Sequence, residues 1–338
     1  MGTQRIVLGF QVASILFITG CGGDEERKID KPAVEAPAAP KVELVTTPDF
    51  NGDSAYAYVV KQVAFGPRVP NTPEHKACAD WLISELERHG LEINVQEATV
   101  TAYNGKELEI YNIMGRYRPD AKERILLMAH WDTRPYADRD DERKNKPIDG
   151  ANDGGSGVGV LLEIARVISE ADIMGPNIGF DILFFDAEDY GKPSSSMTGD
   201  GSNTWCLGSQ YWSQNIPIAD YKPKYGILLD MVAATDAVFP KEGQSLRFAP
   251  QVVDNVWAIA KAMGHSDYFS PVQGNPLIDD HIYVNQFAKI PTIDIIHYEM
   301  LRYDFGTFHH THDDNMDLID KGTMKVVGDV VLQVIYQE

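Results

Sequence analysis

The chain has 338 residues, of which 43% are hydrophobic and 10% aromatic, a composition typical of a globular protein with a large apolar core. Fifty acidic against thirty basic side chains give a formal net charge of −20, which argues against nucleic-acid binding because that requires a basic surface. The length suits one large α/β domain, although length alone would also allow two.

The first 20 residues have the pattern of a secretory signal. Arg5 precedes an apolar run over 6–18 that is too short to span a membrane stably, and small residues lead to Cys21. Residues 18–21 resemble a bacterial lipobox, which predicts cleavage before Cys21 and a lipid on that cysteine. A plain signal peptide and an uncleaved anchor are the alternatives. We therefore expect a lipid-anchored protein of the bacterial cell envelope, facing the periplasm or the cell surface.

Residues 21–48 are acidic at first and then rich in Ala and Pro, without apolar periodicity, which is typical of a flexible tether. We assign 49–338 to a single catalytic domain. Apart from Cys21, the cysteines are Cys78 and Cys206, which could pair in an oxidising compartment or remain as two buried thiols. Cys78 lies on the apolar side of a helical pattern, which favours burial.

Helical and extended patterns alternate along the domain. Helices are predicted at 53–65, 73–89, 152–168, 207–214, 252–263 and 321–336. Strands are predicted at 92–100, 108–117, 124–129, 178–185, 225–232 and 292–296. Asn104-Gly105 marks a hairpin between the first two strands. We therefore predict a mixed, mostly parallel central sheet flanked by helices.

The segment 191–204 is rich in Ser, Gly and Asp and carries no apolar pattern of its own. Loops of this length without secondary structure are uncommon and are often functional. We interpret the segment as a lid or rim.

Acidic and imidazole side chains follow the predicted strands at the points where the strands give way to loops or helices. In an open α/β sheet such strand ends converge on one crevice. Imidazole and carboxylate groups at one point are what a catalytic zinc ion needs. The candidates are His130, Asp153, Glu188, Asp189, Asp230 and His310.

Each of these residues also has an ordinary structural interpretation. Asp153 alone is more typical of a helix N-cap, and Glu188-Asp189 could be a solvated turn. Asp230 ends an apolar strand, where a carboxylate needs a cation or hydrogen-bond partners. A single histidine is more often structural, but three histidines in four residues around His310 raise the chance of a ligand. The Asp-Asp-Asn segment at 313–315 could orient an imidazole through its second nitrogen or cap the final helix region.

The order of these motifs resembles the zinc aminopeptidase superfamily and, within it, the animal-type glutaminyl-peptide cyclotransferases, or glutaminyl cyclases. The resemblance runs from about Phe65 to the C-terminus. It includes the sequence at 66–70 and the segment Asp279-Asp280-His281-Ile282, which is similar to the Asp-Asp-His-Ile motif of the cyclases. Aminopeptidases more often have Ser-Asp-His there. The resemblance implies a zinc-exopeptidase-like fold.

The resemblance also implies roles for individual residues. One zinc ion would be bound by Asp153, Asp189 and His310. Glu188 would be the proton shuttle, and Asp230 and Asp280 would form the hydrogen-bond network that positions it and the substrate amine. His130 and Asp230 occupy positions that bind a second zinc ion in two-zinc aminopeptidases, so two ions are the alternative.

Several positions depart from the cyclase pattern. The family commonly has Glu at the position of Asp189, Trp at that of His309 and His at that of Asp294. We expect Asp279 and His309 to contact the substrate. Trp131 or Trp205 would supply an aromatic wall for the glutamine side chain, and each could otherwise be an ordinary core or rim aromatic.

The implied reaction is cyclisation of an N-terminal glutamine of a peptide or protein to pyroglutamate with release of ammonia. The first alternative is a two-zinc aminopeptidase in which Glu188 activates water. The second is a surface lipoprotein that binds peptides or metal without catalysis, which would leave Glu188 beside a metal ligand unexplained. The oligomeric state stays open.

Overall fold

A six-stranded sheet forms the centre of the structure, a computed structural model that describes residues 42–171, 177–193, 196–197 and 203–338. Along the chain the strands are Glu92–Thr101 (β1), Glu107–Tyr117 (β2), Arg124–His130 (β3), Gly179–Phe185 (β4), Gly226–Asp230 (β5), Phe239–Lys241 (β6), Phe269–Gln273 (β7) and Thr292–Ile296 (β8). The central sheet has the order β1-β2-β4-β3-β5-β8, and β6 and β7 form a separate parallel pair.

The central sheet is mixed. β2 pairs antiparallel with both β1 and β4, whereas β4, β3, β5 and β8 are parallel neighbours. The four parallel strands are buried along their whole length. Continuous apolar strands of this kind are typical of a parallel sheet that is covered on both faces. The predicted fold class is confirmed.

Helices cover the sheet on both faces. They are Gly52–Val63 (α1), Pro73–Arg88 (α2), Gly155–Glu170 (α3), Leu207–Gln214 (α4), Gly243–Phe248 (α5), Pro250–Ala262 (α6), Asp280–Tyr283 (α7) and Lys321–Gln337 (α8). Alternate residues of β3 point to opposite faces. Ile125 and Leu127 join the larger core, which includes α1, α3 and α8. Leu126 and Met128 join a smaller core that contains Trp212 of α4.

Local signals account for several boundaries. Thr72 begins α2, and its side-chain oxygen accepts a hydrogen bond from the backbone N–H of His75 at 3.2 Å, as predicted for an N-cap. The hairpin between β1 and β2 turns at Asn104-Gly105, where Gly105 has a φ of 81°. Asn104 Oδ1 accepts from the backbone N–H of Lys106 at 3.1 Å. This turn was predicted from the Asn-Gly pair.

Four elements are additional to those predicted. α5, α7, β6 and β7 have between three and six residues each, which is too short for apolar periodicity to indicate them. α3 also begins later than predicted, at Gly155 rather than at residue 152. Its N-cap residue is Gly154, with a φ of 82° and no side-chain capping bond. Asp153 is therefore not the N-cap.

The compact part of the chain begins at Val42, seven residues before the predicted domain boundary at 49. Val42 packs against the core, and Gln337 Nε2 donates to the backbone oxygen of Glu43 at 2.9 Å. The predicted signal peptide, Cys21 and residues 21–41 of the predicted tether lie outside the described residues. Within the described ranges, no helix is long and apolar enough to span a bilayer.

Cys78 and Cys206 are both buried and both free. The prediction that Cys78 is buried is confirmed, and the two thiols do not pair. The predicted lid or rim at 191–204 lies only partly in the described chain, because residues 194–195 and 198–202 fall outside it.

Candidate metal centre and catalytic pocket

The carboxyl ends of the parallel strands and the loops that follow them enclose a cavity of about 170 Å³. Its lining combines six ionisable side chains with five apolar or aromatic ones. They are Asp153, Glu188, Asp230, Asp279, His309, His310, Trp205, Met231, Ile278, Ile296 and Phe305. Parallel sheets commonly place ligand sites at this edge.

The three predicted metal ligands converge at the cavity. His310 Nε2 lies 3.2 Å from Asp189 Oδ1 and 3.8 Å from Asp153 Oδ2. The other oxygen of Asp189, Oδ2, is buried and has no hydrogen-bond partner among the residues that the structure describes. The structure therefore brings together three distant parts of the sequence, and the ligand role of these residues stays a prediction.

A second cluster adjoins the first through Asp153. His130 Nε2 lies 3.0 Å from Asp153 Oδ1 and 3.3 Å from Asp230 Oδ1. Asp153 thus faces His310 with one carboxylate oxygen and His130 with the other. The residues predicted for a second ion are therefore also grouped, with Asp153 between the two clusters.

Two buried carboxylates that the sequence analysis missed hold the backbone of the ligand-bearing loops. Asp132 accepts from the backbone N–H groups of Glu188 at 3.0 Å and Asp189 at 3.2 Å. Asp314 accepts from those of Asn152 at 2.7 Å and Asp153 at 3.1 Å. Both acceptors are completely buried. Each carboxylate therefore fixes the backbone that carries a predicted metal ligand.

Carboxylates also lie beside the second nitrogen of each imidazole. Asp138 Oδ1 is 3.6 Å from His310 Nδ1, and Asp132 Oδ1 is 3.6 Å from His130 Nδ1. Asp138 is itself held by Arg134 Nε at 2.6 Å. Carboxylates in this position orient metal-binding histidines in many sites. Asp138, rather than an acidic residue that follows His310 in the sequence, is the carboxylate beside His310 Nδ1.

Glu188, the predicted proton shuttle, lines the cavity together with Asp153 and His310. Its Oε1 accepts a hydrogen bond from Cys206 Sγ at 3.1 Å. Desolvation raises the pKa of Glu188 well above its usual value, and the carboxylates of Asp189 and Asp279 raise it further. Burial likewise raises the pKa of the Cys206 thiol, so the thiol stays protonated and can donate. Cys206 was not predicted as a site residue.

Asp279 and Asp280 occupy different depths. Asp279 lines the cavity, and its Oδ1 accepts from the backbone N–H of Asp280 at 2.6 Å. Asp280 is completely buried and is absent from the cavity wall. Asp279 is therefore the member of this pair that lines the cavity, and its contact with a substrate stays a prediction.

Of the two predicted aromatic walls, only Trp205 reaches the cavity. Its ring stacks on His310 with centroids 5.6 Å apart, and the Arg134 guanidinium carbon lies 4.5 Å from the Trp205 ring centroid. The prediction for Trp131 is wrong. Trp131 is completely buried, stacks on His75 and donates its indole N–H to Tyr111 O at 3.1 Å, so it belongs to the core.

Four residues at or beside the cavity have a strained backbone. Ala187, Cys206, Met231 and His310 all have φ values between 49° and 58°, a left-handed conformation that costs a residue other than glycine about 1–3 kcal/mol. Strained residues of this kind cluster at functional sites. Gly154 is required for a different reason, because a Cβ there would lie 2.8 Å from His130 Cε1.

The donor set fits zinc. Zinc sites use imidazole nitrogen and carboxylate oxygen, and catalytic sites commonly have three protein ligands. Burial raises the pKa of Asp189 well above its usual value, and Asp153 raises it further by repulsion. A divalent cation between Asp153, Asp189 and His310 would offset this repulsion and would satisfy the unpartnered Asp189 oxygen.

Comparison with known proteins identifies the family. Residues 112–335 match peptidase family M28. The chain belongs to this family. The M28 match begins within β2 and extends into α8, so it includes every residue of the two clusters. Within the curated proteins, this M28 chain is 25% identical over 239 residues to aminopeptidase YwaD of Bacillus subtilis. The alignment covers 67% of this chain but only 44% of that relative.

Solved structures resemble this M28 chain over nearly its whole described length. A Zn-dependent exopeptidase from Parabacteroides distasonis is 52% identical, with a TM-score of 0.84 and coverage of 87% of this chain and 100% of the other. A glutaminyl cyclase from Bacteroides thetaiotaomicron, solved with N-acetylhistamine, has 50% identity and the same TM-score and coverage. A glutaminyl cyclase from Tannerella forsythia is 52% identical, with a TM-score of 0.83 and coverage of 86% and 100%.

Asp132 gives a direct test of how the site is held. We expect Asp132→Asn to lower zinc affinity by roughly 10–100-fold, because an amide cannot accept from both backbone N–H groups of 188 and 189 and also face His130. Competition with a chelator of known affinity measures the effect. The control is Asp141→Asn, the same change at an exposed position of the same loop. Unchanged zinc affinity in Asp132→Asn would contradict this account.

Proposed function

We propose that this protein catalyses zinc-dependent cyclisation of an N-terminal glutamine of peptides or proteins to pyroglutamate, with release of ammonia. Similarity to two glutaminyl cyclases supports this assignment. The cyclases of Bacteroides thetaiotaomicron and Tannerella forsythia are 50% and 52% identical to this chain, and each cyclase is covered over its full length. One structural observation carries it: Glu188 lines the same small cavity as Asp153 and His310. A proton carrier therefore lies beside the metal site.

The cavity suits a single residue of a larger substrate. Its volume of about 170 Å³ is below the 300–1,000 Å³ that is typical of pockets for drug-sized ligands. Trp205, Phe305 and Ile278 contribute apolar surface to its lining, and Asp153, Glu188, Asp230 and Asp279 contribute carboxylates. The rest of a peptide would extend through the mouth of the cavity.

Asp153, Asp189 and His310 would hold the zinc ion. When bound there, zinc supplies Lewis-acid polarisation of the γ-carboxamide oxygen and stabilises the negative charge that develops on that atom. Glu188 takes a proton from the α-amine as the amine nitrogen attacks the carbonyl carbon of the γ-carboxamide. Glu188 then gives that proton to the departing nitrogen, which leaves as ammonia, and the carboxylate is regenerated.

The remaining carboxylates position the amine and Glu188. Asp230 and Asp279 line the cavity, where negative charge on their carboxylates would attract a protonated or partly protonated amine. Asp280 lies behind them and, with Asp279, raises the pKa of Glu188, which favours proton uptake. Ring closure is unimolecular, so holding the amine near the carbonyl carbon of the γ-carboxamide removes most of the entropic cost of the reaction.

An aminopeptidase is the alternative activity. The grouping of His130, Asp153 and Asp230 favours it, because this cluster could bind a second ion. In that enzyme Glu188 would take a proton from water rather than from the substrate amine. The aminopeptidase of Bacillus subtilis is 25% identical, and a leucine aminopeptidase precursor from Bacteroides thetaiotaomicron is 50% identical. Glutaminyl cyclases from three bacteria are 45–52% identical, so the similarity to cyclases is the broader support.

Glu188→Gln tests the proton-shuttle role. We expect turnover to fall by at least about 100-fold because the amide cannot accept and return the proton, while zinc content is unchanged. Ammonia release from a peptide with an N-terminal glutamine measures turnover, and metal analysis measures zinc. Glu87→Gln, the same change at an exposed position of α2, is the control.

The same assay distinguishes the two activities. A cyclase releases ammonia from the glutamine peptide and leaves a leucine peptide intact. Release of free leucine without formation of pyroglutamate would overturn the proposal in favour of an aminopeptidase. Turnover of the glutamine peptide that persists in Glu188→Gln would exclude the shuttle role alone.

We further propose that the active protein holds a single zinc ion, at the cluster that contains His310. The resemblance to the cyclases supports one ion. Metal analysis of His310→Ala should show loss of zinc, whereas His130→Ala should retain the content of the parent protein. A parent protein with two zinc ions, one of which is lost in His130→Ala, would favour the aminopeptidase arrangement.

For the location of the protein, we propose attachment to the bacterial cell envelope through a lipid on Cys21. The lipobox pattern at 18–21 and the tether-like composition that follows support the proposal. Mass spectrometry of the mature N-terminus should find cleavage before Cys21 and a lipid mass on that residue. An unmodified Cys21 in the mature protein would exclude the anchor.

A further inference from the structure

Three consecutive charged residues in the loop after β3 meet three histidines near the C-terminus. Each contact reaches the Nδ1 atom of its histidine. The pairs are Asp138 Oδ1 with His310 at 3.6 Å, Arg139 Nη1 with His309 at 2.8 Å, and Asp140 Oδ2 with His312 at 2.6 Å. The middle pair differs from its neighbours, because a guanidinium rather than a carboxylate faces the imidazole.

The chemistry of these groups determines which nitrogen carries the proton. An ionised carboxylate only accepts hydrogen bonds, so it favours a proton on the Nδ1 of the histidine beside it. A guanidinium only donates, so the Nδ1 of His309 must present its lone pair to Arg139. A neutral imidazole carries one N–H, and in His309 that N–H is therefore on Nε2.

Arg139 is held firmly enough to impose this arrangement. Its guanidinium makes two hydrogen bonds to the Asp304 carboxylate, one of them from Nη1 at 2.7 Å, and its backbone N–H donates to His310 O at 3.2 Å. Paired bonds between a guanidinium and a carboxylate fix orientation as well as position. Arg139, whose guanidinium faces His309, is therefore held through both its guanidinium and its backbone N–H.

His309 lies directly at the cavity. Its ring lines the wall, with its centroid 3.7 Å from that of His310 and 4.7 Å from that of Phe305. One of its nitrogens lies within 4.8 Å of ligand atoms of Asp153 and His310, so geometry alone would allow it as a metal ligand. Among the described residues, Arg139 is the hydrogen-bond partner of this ring.

The tautomer separates the roles of these adjacent histidines. In His309 the Nδ1 lone pair is used by Arg139 and Nε2 carries a proton, so neither nitrogen is free to bind an ion. In His310 the Nε2 faces Asp153 and Asp189, which are the predicted ligands of the metal. His309 is therefore a hydrogen-bond donor, and its remaining N–H has no partner in the described part of the chain.

We propose that His309 Nε2–H donates to a carbonyl oxygen of the bound peptide, and that Arg139 is the positioning residue that sets this tautomer. The identity of the acceptor rests on the proposed function, whereas the tautomer does not. His309 thereby replaces, with a directional donor, the aromatic residue that the resemblance leads us to expect at this position.

The tautomer is tested first, by nitrogen NMR of the zinc-loaded protein labelled at histidine. In the parent protein we expect an unprotonated Nδ1 and a protonated Nε2 at His309. In Arg139→Met we expect the two nitrogens to move toward averaged values, because the donor is gone. Arg302→Met, which removes an arginine paired with Glu299 in the nearby loop, should leave the His309 signals unchanged.

The substrate contact is tested by kinetics on a glutamine peptide. We expect His309→Phe to raise KM by about tenfold with little change in kcat, because a donor that binds the ground state and the transition state equally affects KM alone. His309→Gln keeps an N–H donor and should restore KM to within about threefold of the parent. Arg139→Met should raise KM in the same direction as His309→Phe.

The outcomes separate this inference from the proposed reaction. A protonated Nδ1 at His309 in the parent protein, or His309 signals that are the same in Arg139→Met, would overturn the role of Arg139. An unchanged KM in His309→Phe would overturn the substrate contact. Absence of cyclase activity in the parent protein would overturn the proposed function and would leave the NMR result standing.

Discussion

The structure of the candidate site depends on carboxylates that are buried close to one another. Glu188, Asp189, Asp230 and Asp280 all have pKa values raised above the usual range, and the largest cause at each is removal from water. Such a cluster is unfavourable unless a cation and hydrogen-bond donors offset the repulsion. The parallel sheet brings the carboxylates together, and a zinc ion held by Asp153, Asp189 and His310 would make their proximity tolerable.

Long-range hydrogen bonds hold the cluster together. Asp132 accepts hydrogen bonds from the backbone of 188 and 189, and Asp314 accepts from that of 152 and 153, so both loops that carry predicted ligands are fixed by buried carboxylates. The left-handed residues at the cavity show that the local backbone would not adopt these shapes alone. The core beneath the cavity, built on both faces of the sheet, supplies the stability that this strain requires.

Much of this could be predicted from the sequence because the buried strands and long helices have clear apolar patterns, and the candidate acids lie where those patterns end. The contacts of Asp132, Asp138 and Asp314 could not be predicted, because they join residues that are distant in sequence. Asp314 and Asn152, for example, are 162 residues apart. Trp131 was misassigned because it directly follows His130 in the sequence. Successive residues at a strand end point in opposite directions, so the Trp131 ring enters the core.

X-ray diffraction from crystals of the full protein, recorded above and below the zinc absorption edge, tests the central claim most directly. The account predicts an anomalous peak within bonding distance of Asp153, Asp189 and His310, next to Glu188. A zinc peak bound elsewhere, or none at these three residues in crystals grown with zinc, would contradict it.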